Sequence, residues 1–536
     1  MEADLIFRNG QVVTVDEHWT VCEALAVRHN KIVCCGSNAE IDAFQGPSTT
    51  VVDLAGRSLL PGFIDAHAHL VLYGTNQLGV NCKDVHSIEE MMAKLRLAAK
   101  MTPLGEWIRG WGYNQNALSE GRHPTRRDLD QVSKDHPIMI VRTCSHISAV
   151  NSKALEFAGI DTETPDPSGG KIVRENGIPN GVLLEAAHMH MFKLAQYTEQ
   201  EIMEGLQLAS KHYLQKGITS VHDAGGYDNA HFRFLAKAVQ TGKVKQRVYA
   251  MIGALHDSPA VLAKAMEAGM LTGVGDEYFR IGPAKVFIDG SSSGPTAATR
   301  HPYTSNANDS GILYLTQEEL NDILGEAHAL GWQLTAHAIG DQAVEMMLNC
   351  IENALQKCPR EDHRHRIEHA AMTPPDLAER AQALKVVPVP NPAFIWEFGD
   401  GYVRDYGERV HSMFPMRSLL NAGLTPAVGS DSPITTFDPL IGIQTAVTRF
   451  SQTGQGIGAE QTISVQEAIK AYTWNGAYAS FEENMKGSLE VGKLADLVVL
   501  DGPILDTDIH RIQALNVDMT IINGRVVYDA HAEAVT

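Results

Sequence analysis

Pro61-Gly62-Phe63-Ile64-Asp65-Ala66-His67-Ala68-His69 is an apolar run that ends in two histidines one residue apart. Successive side chains along a strand point to opposite faces, so His67 and His69 project together. Two imidazoles on one face chelate a metal ion. A bare His-x-His is a weak signal; its weight comes from where the other strands of the chain end.

Working outward, eight short apolar segments read as parallel strands, most of them followed by a helix: Ser58 to Ala66, Gly217 to His222, Arg247 to Ile252, Ile281 to Ile288, Gln333 to Ala336, Arg364 to Glu368, Val386 to Pro390 and Thr425 to Gly429. Eight β/α units closing on themselves make an α/β protein of the (β/α)8 TIM-barrel class, whose active site lies at the carboxyl ends of its strands. Val386 to Pro390 carries two prolines and is the least regular of the eight. Three further strands finish in residues that ligate metals. Leu334-Thr335-Ala336-His337 ends the fifth, Arg366-Ile367-Glu368-His369 the sixth and Val428-Gly429-Ser430-Asp431 the eighth. Alone, each has an ordinary structural reading: His337 or His369 as a hydrogen-bonded core histidine, Asp431 as a helix N-cap. Four strand ends converging on one barrel mouth favour a metal site.

Residues 1–58 read as short strands with Asn9-Gly10 and Asn30-Lys31 at bends, too few to bury a core alone. Residues 487–536 repeat the style around Asn523-Gly524. The two ends are expected to form one β-sandwich, with residues 59–486 as the barrel domain between them. The stretch from about 70 to 216 is far too long for a βα connection and is expected to be an inserted lid subdomain. Its helices include Ser87 to Lys100 and Thr198 to Lys216, each opening on a Ser or Thr with Glu three residues on, a capping box.

Forty-four Lys and Arg against 64 Asp and Glu, a net charge of −20, argue against nucleic acid or an anionic membrane as the main partner. No apolar run approaches the roughly 18 residues of a membrane span. The start, Met1-Glu2-Ala3-Asp4, has no signal-peptide character, so a cytoplasmic protein is expected, with homo-oligomerisation left open. The 7 cysteines, with no Cys-x-x-Cys, form neither a disulfide framework nor a thiolate zinc site.

The chain resembles the amidohydrolase superfamily, and within it the amidohydrolase-3 or YtcJ-like branch that includes N-substituted formamide deformylases. The likeness rests on Pro61 to His69, on the Asn9-Gly10 strand pair and on Gly487-Ser488-Leu489-Glu490-Val491-Gly492-Lys493-Leu494-Ala495-Asp496-Leu497. At branch level it rests on Gly110-Trp111-Gly112-Tyr113, His146 to Leu155 and Lys285-Val286-Phe287-Ile288-Asp289-Gly290-Ser291. It implies a lysine carboxylated by CO₂ on the fourth strand, and Lys285 stands there, sharing a face with Phe287 and Asp289. A buried ion pair of Lys285 with Asp289 or another acid is the alternative.

The mechanism this resemblance implies has one metal on His67, His69 and Asp431, a second on His337 and His369, and Lys285 bridging the two. Asp431 takes a proton from the attacking water and returns it to the leaving nitrogen. Zinc is the first expectation, although iron, manganese, cobalt or nickel fit the same ligands, with one or two ions per subunit. If Lys285 is not carboxylated, the site holds one. Trp111, Tyr113 and His146 in the insertion, His222 ending the second strand, and Phe394 and Trp396 after the seventh are the candidate substrate contacts. Asp289, Ser291 and Arg300 are weaker polar candidates. The expected reaction is hydrolysis of a carbon–nitrogen bond in a small amide or formamide. A metal-dependent isomerase or lyase on the same scaffold is the alternative, and a binding module that keeps only the fold is disfavoured because every ligand position is filled.

Overall fold

The computed structural model describes residues 2–143, 145, 147–226, 230–254 and 257–532. His146 lies outside them. The chain makes two compact units, Val71–Ala209 and the remainder.

The larger unit contains a sheet of seven parallel strands: Phe63–Ala68, Ile218–Asp223, Arg247–Ile252, Phe279–Phe287, Leu334–Ala338, Arg366–His369 and Val387–Val389, neighbours in that order. The expected eighth, Thr425 to Gly429, forms no regular strand. It closes the ring by separate hydrogen bonds instead. The Ala427 amide donates to the Pro388 carbonyl (3.1 Å), the Ala66 amide to Val428 (3.0 Å) and the Asp431 amide to His67 (2.7 Å). Two local features prevent a ladder: Pro426 has no N–H to give, and the Val428 amide is spent on Ala471 (3.2 Å). Gly429 permits the close approach, because a Cβ there would lie 2.4 Å from that of His67.

Alternation divides the barrel strands as the period of two demands. Val286, Leu334, Ala336 and Ile367 face outward and pack on Leu320, Leu324, Val344, Met347 and Ile351 of the surrounding helices. Lys285, Thr335, Arg366 and Glu368, on the alternate positions, are buried polar or charged groups.

The expected single strand Ser58 to Ala66 is two. Ser58–Pro61 belongs to the sandwich and Phe63–Ala68 to the barrel. The chain crosses between them at Gly62, whose amide donates to Asp496 (2.9 Å) and whose missing Cβ leaves room for the Thr219 side chain. In the sandwich, Ser58–Pro61 pairs antiparallel with tail strand Leu497–Leu500, which continues through Val517–Ile522 to Arg525–Asp529. A second sheet of Lys31–Gly36, Ala24–Arg28, Leu5–Arg8 and Thr50–Asp53 faces it. Leu5, Phe7, Leu25, Val27 and Ile32 from one sheet share a core with Leu59, Leu497, Val499 and Ile521 from the other. Both chain ends therefore build one core.

The smaller unit carries a sheet as well as the helices expected of the insertion. A six-stranded sheet runs through it, with Ile108–Tyr113 and Ile138–Arg142 as central parallel neighbours. The helix Ile88–Met101 is capped by the Ser87 hydroxyl, which accepts from the Glu90 amide (3.2 Å). The Glu90 carboxylate does not return to Ser87, as a capping box requires; it accepts from the His86 amide instead (2.7 Å). At Thr198 both halves of the box form with Glu201.

Candidate metal centre

His67 and His69 stand at the carboxyl end of the first barrel strand, and each is anchored through Nδ1. His67 Nδ1 lies 2.6 Å from Glu368 Oε2, and His69 Nδ1 lies 2.7 Å from the Gly225 carbonyl. Carboxylates and carbonyls only accept, so both Nδ1 atoms carry a proton and each ring turns its Nε2 toward the cluster. Both Nε2 atoms meet one carboxylate oxygen: Asp431 Oδ1 is 3.3 Å from His67 Nε2 and 3.2 Å from His69 Nε2. With neutral imidazoles these are three acceptors facing one another, an arrangement that a cation between them satisfies. The His67, His69 and Asp431 ligand atoms all lie within 4.8 Å of each other, close enough to share one ion.

Two further histidines adjoin this group. His369 Nδ1 lies 2.8 Å from Asn391 Oδ1, whose amide nitrogen donates to the Gly429 carbonyl (2.7 Å). The Asn391 oxygen is thereby fixed as acceptor, which leaves His369 Nε2 free. His337 has the opposite tautomer: its Nε2 donates to the Gly290 carbonyl (3.0 Å), leaving Nδ1 free. The His369 ring centre lies 4.8 Å from that of His67 and 4.5 Å from that of His337. Burial lowers the pKa of His369 to about 3 and holds that of His337 well below the usual imidazole value. Both are neutral, as metal ligation demands.

His369 and Asp431 have backbone φ of 69° and 58°. Non-glycine residues there are uncommon, and such strain concentrates at functional sites. Its consequence at the sixth strand is specific. Glu368 and His369 are neighbours and should face opposite ways, but the left-handed turn at His369 swings its ring back beside that of His67. Both residues therefore serve the same cluster.

Lys285 Nζ is 3.4 Å from His67 Nε2 and fully buried. Burial lowers its pKa to about 8, against the opposing pull of Glu368 and Asp431. No carboxylate among the described residues comes within ion-pair reach of Nζ. In particular, Asp289 is occupied by the backbone amides of Ala298 (2.9 Å), Ile339 (3.0 Å) and Gly340 (2.8 Å).

The remaining candidates fall in several places. His222 is buried inside the barrel, where Nδ1 accepts from Arg366 Nη1 (2.9 Å). Phe394 is buried among Phe398, Phe414 and the His369 ring. Trp396 is half-buried, and its carbonyl accepts from the Gln452 amide (2.7 Å). In the smaller unit, Tyr113 is buried in the core and meets His123 (3.0 Å), while Trp111 donates from Nε1 to the Asn76 carbonyl (2.5 Å). Ser291 meets Ser293 (3.2 Å), and Arg300 is paired with Glu345 (3.1 Å) and Asp376 (2.9 Å).

Sequence reasoning did not single out Glu368, Arg366, Thr335 or Asn391 as parts of the site. The Glu-His pair ending the sixth strand held a signal, two ligand-type residues in succession, but alternation admits only one of them to the interior.

Residues 50–528 match the family model of the Amidohydrolase family. The chain is 32% identical to the Bacillus subtilis protein YtcJ, assigned to the amidohydrolases by its name, over 98% of this chain and 99% of that one. It is 29% identical to the N-substituted formamide deformylase of Arthrobacter pascens, over 98% of both chains. A solved metal-dependent hydrolase from Pyrococcus horikoshii superposes with a TM-score of 0.78 at 27% identity, over 98% of this chain and all of that one. With a metal-suited His-His-Asp cluster at the mouth of the barrel, this chain belongs to the amidohydrolase family and is a metal-dependent hydrolase.

Proposed function

We propose that the protein hydrolyses a carbon–nitrogen bond of a small amide, with N-substituted formamides as the leading substrate class. The observation that carries the metal part is the meeting of His67 Nε2 and His69 Nε2 with Asp431 Oδ1 at 3.2–3.3 Å. The substrate class rests on full-length similarity to a protein named as a formamide deformylase.

In this reading His67, His69 and Asp431 would hold one divalent ion, and His337 with His369 would hold a second. Zinc suits the donors. When bound, the metal supplies the Lewis acidity that makes water nucleophilic near neutral pH and polarises a carbonyl. Lys285 would join the residues that hold both ions after carboxylation, in which its neutral amine adds to CO₂, an N–C bond forms as one C–O π bond breaks, and the amine proton leaves to solvent. Its lowered pKa and its lack of an acidic partner favour that step. Asp431 accepts the proton of the attacking water and delivers it to the departing nitrogen. His69 and His337 hold their orientations through carbonyl anchors while charge moves. We further place the enzyme in the cytoplasm; no helix of the described residues is long and apolar enough to cross a membrane.

The test is turnover of a panel of N-substituted formamides and other small amides by metal-reconstituted protein in ¹⁸O-labelled water. Metal-dependent release of formate carrying the label is the expected result. Product with the mass of the substrate and no label would identify an isomerase instead.

A further inference from the structure

We propose that Glu368, locked by Arg366 and Thr335, is a positioning residue that makes His67 the strongest nitrogen donor of the metal centre. The inference rests on the metal reading above. It begins with an asymmetry among the four histidines. His69 and His337 are anchored on backbone carbonyls and His369 on an asparagine oxygen; the Asp289 carboxylate stands 3.6 Å from His337 Nε2, beyond hydrogen-bond distance. His67 alone donates to a carboxylate, at 2.6 Å.

That carboxylate has no freedom. Oε1 accepts from Thr335 Oγ1 (2.6 Å) and Arg366 Nε (2.8 Å). Oε2 accepts from His67 Nδ1 and from Arg366 Nη2 (2.9 Å). Four donors fill the roughly four lone-pair positions a carboxylate offers. Arg366 is fixed in turn, with Nη2 also on the Ala66 carbonyl (2.6 Å) and Nη1 on His222 Nδ1 (2.9 Å). The assembly ties the first, second, fifth and sixth strands together behind one ligand. His222 thus acts as an acceptor for the clamp.

Stability alone does not account for the pair. Arg366 and Glu368 are both fully buried, and a buried ion pair is often no more stabilising than apolar residues of the same volume. An anionic acceptor behind a metal-ligating histidine fixes its tautomer and raises its basicity, and losing such a partner typically weakens metal binding about 10- to 100-fold. Arg366 serves a second purpose here. It neutralises Glu368, so the carboxylate stays an acceptor for His67 and does not compete as a ligand.

The experiment measures Zn²⁺ affinity by chelator competition, and the visible spectrum of the Co²⁺-loaded protein, for wild type, Glu368→Gln, His67→Ala and the double variant. Glu368→Gln is expected to weaken Zn²⁺ binding about 10- to 100-fold and to shift the cobalt bands. In the His67→Ala background the same change should have no further effect. A folded Glu368→Gln protein that binds Zn²⁺ within about twofold of wild type, or an equal loss with and without His67, overturns the proposal. Should Glu368→Gln not fold, Thr335→Val decides. This near-isosteric change removes one donor to Oε1, and a several-fold loss of affinity with an unchanged melting temperature supports the clamp, whereas unchanged affinity refutes it. Wild-type protein that takes up neither metal would instead defeat the underlying metal reading.

Discussion

Replacing Asp496 by Ala removes the carboxylate that joins the tail strands of the sandwich to the barrel. Asp496 directly precedes the tail strand Leu497–Leu500, and its partner Arg247 opens the third barrel strand. The two meet side-on, Nε to Oδ2 at 2.6 Å and Nη2 to Oδ1 at 3.0 Å, with Arg247 only 1% exposed. Breaking a buried pair by deleting one member typically costs about 3–5 kcal/mol, because the surviving charge is left without compensation. Arg247 would keep the Glu277 carbonyl (3.0 Å) and Asn523 Oδ1 (2.5 Å) as acceptors and the Glu277 carboxylate at 3.8 Å as a weaker ion-pair partner. Asp496 Oδ1 also accepts from the Asn523 amide (3.0 Å), so the substitution frees that donor too. The retained contacts place the loss toward the lower end, about 3 kcal/mol. Asp496→Asn keeps an acceptor and should lose less. The apolar double replacement Arg247→Met with Asp496→Leu should recover most of the stability, since no charge remains to be desolvated. Urea denaturation followed by both tryptophan fluorescence and circular dichroism gives the midpoints; two probes are needed because a chain of this size need not unfold in one step. A loss below about 1 kcal/mol for Asp496→Ala, or a double variant no better than the single one, would show that solvent reaches the pair and that the latch is not buried in solution.

Three other outcomes follow from the site and its surroundings. Asp431→Asn keeps a coordinating oxygen but cannot carry a proton, so metal content by atomic absorption should largely persist while kcat falls at least about 100-fold; parallel loss of both would make Asp431 a ligand only. Lys285→Ala should weaken metal retention, with formate or acetate partly restoring it, and intact-protein mass spectrometry of the wild type should find a labile CO₂ adduct at Lys285; an unmodified lysine with full activity refutes the bridge. Acid should destabilise the fold through His363, His365 and His328, which burial keeps below the ordinary imidazole pKa of 6.5, His363 at about 4. Because these groups are neutral when folded and take up protons when unfolded, stability is full above about 6.5 and falls as the pH drops toward 4. The urea midpoint of His363→Gln should vary less over that window, and an equal slope would remove His363 from the account.

The architecture was legible where apolar runs alternate and end in ligand-type residues. His67 and His69 need only the period of two to face one way, and the two β-rich ends, neither able to bury a core alone, announced their pairing. The insertion was less legible. Its helices carry caps within a few residues, but its central parallel strands, Ile108–Tyr113 and Ile138–Arg142, find each other across a long intervening stretch that local pattern does not describe. The eighth barrel segment was read as a strand from its apolar character, and Pro426 together with the diverted Val428 amide denied it a ladder.

Glu368 and Arg366, behind the ligand cluster, were hidden for one physical reason. In a regular strand, admitting His369 to the barrel interior expels Glu368, and a reader who trusts alternation must choose between them. The positive φ of 69° at His369 removes the choice, since the strand stops there and the backbone turns through the left-handed region before its side chain is placed. Asp431, at φ 58°, makes the same turn beside the first strand. Such conformations cost of order 1–3 kcal/mol each for residues other than glycine, and the Asp431 amide bond to the His67 carbonyl helps hold one of them in place. The strain is therefore coupled to the ligand cluster: what lets Glu368 stand behind His67 also brings the His369 ring to within 4.8 Å of it. A glycine at 369 or 431 would relieve the backbone but remove a side chain that the proposed metal centre needs. The proposed metal centre thus uses residues that are poor choices for the turn itself, and local propensity is a misleading guide at these positions.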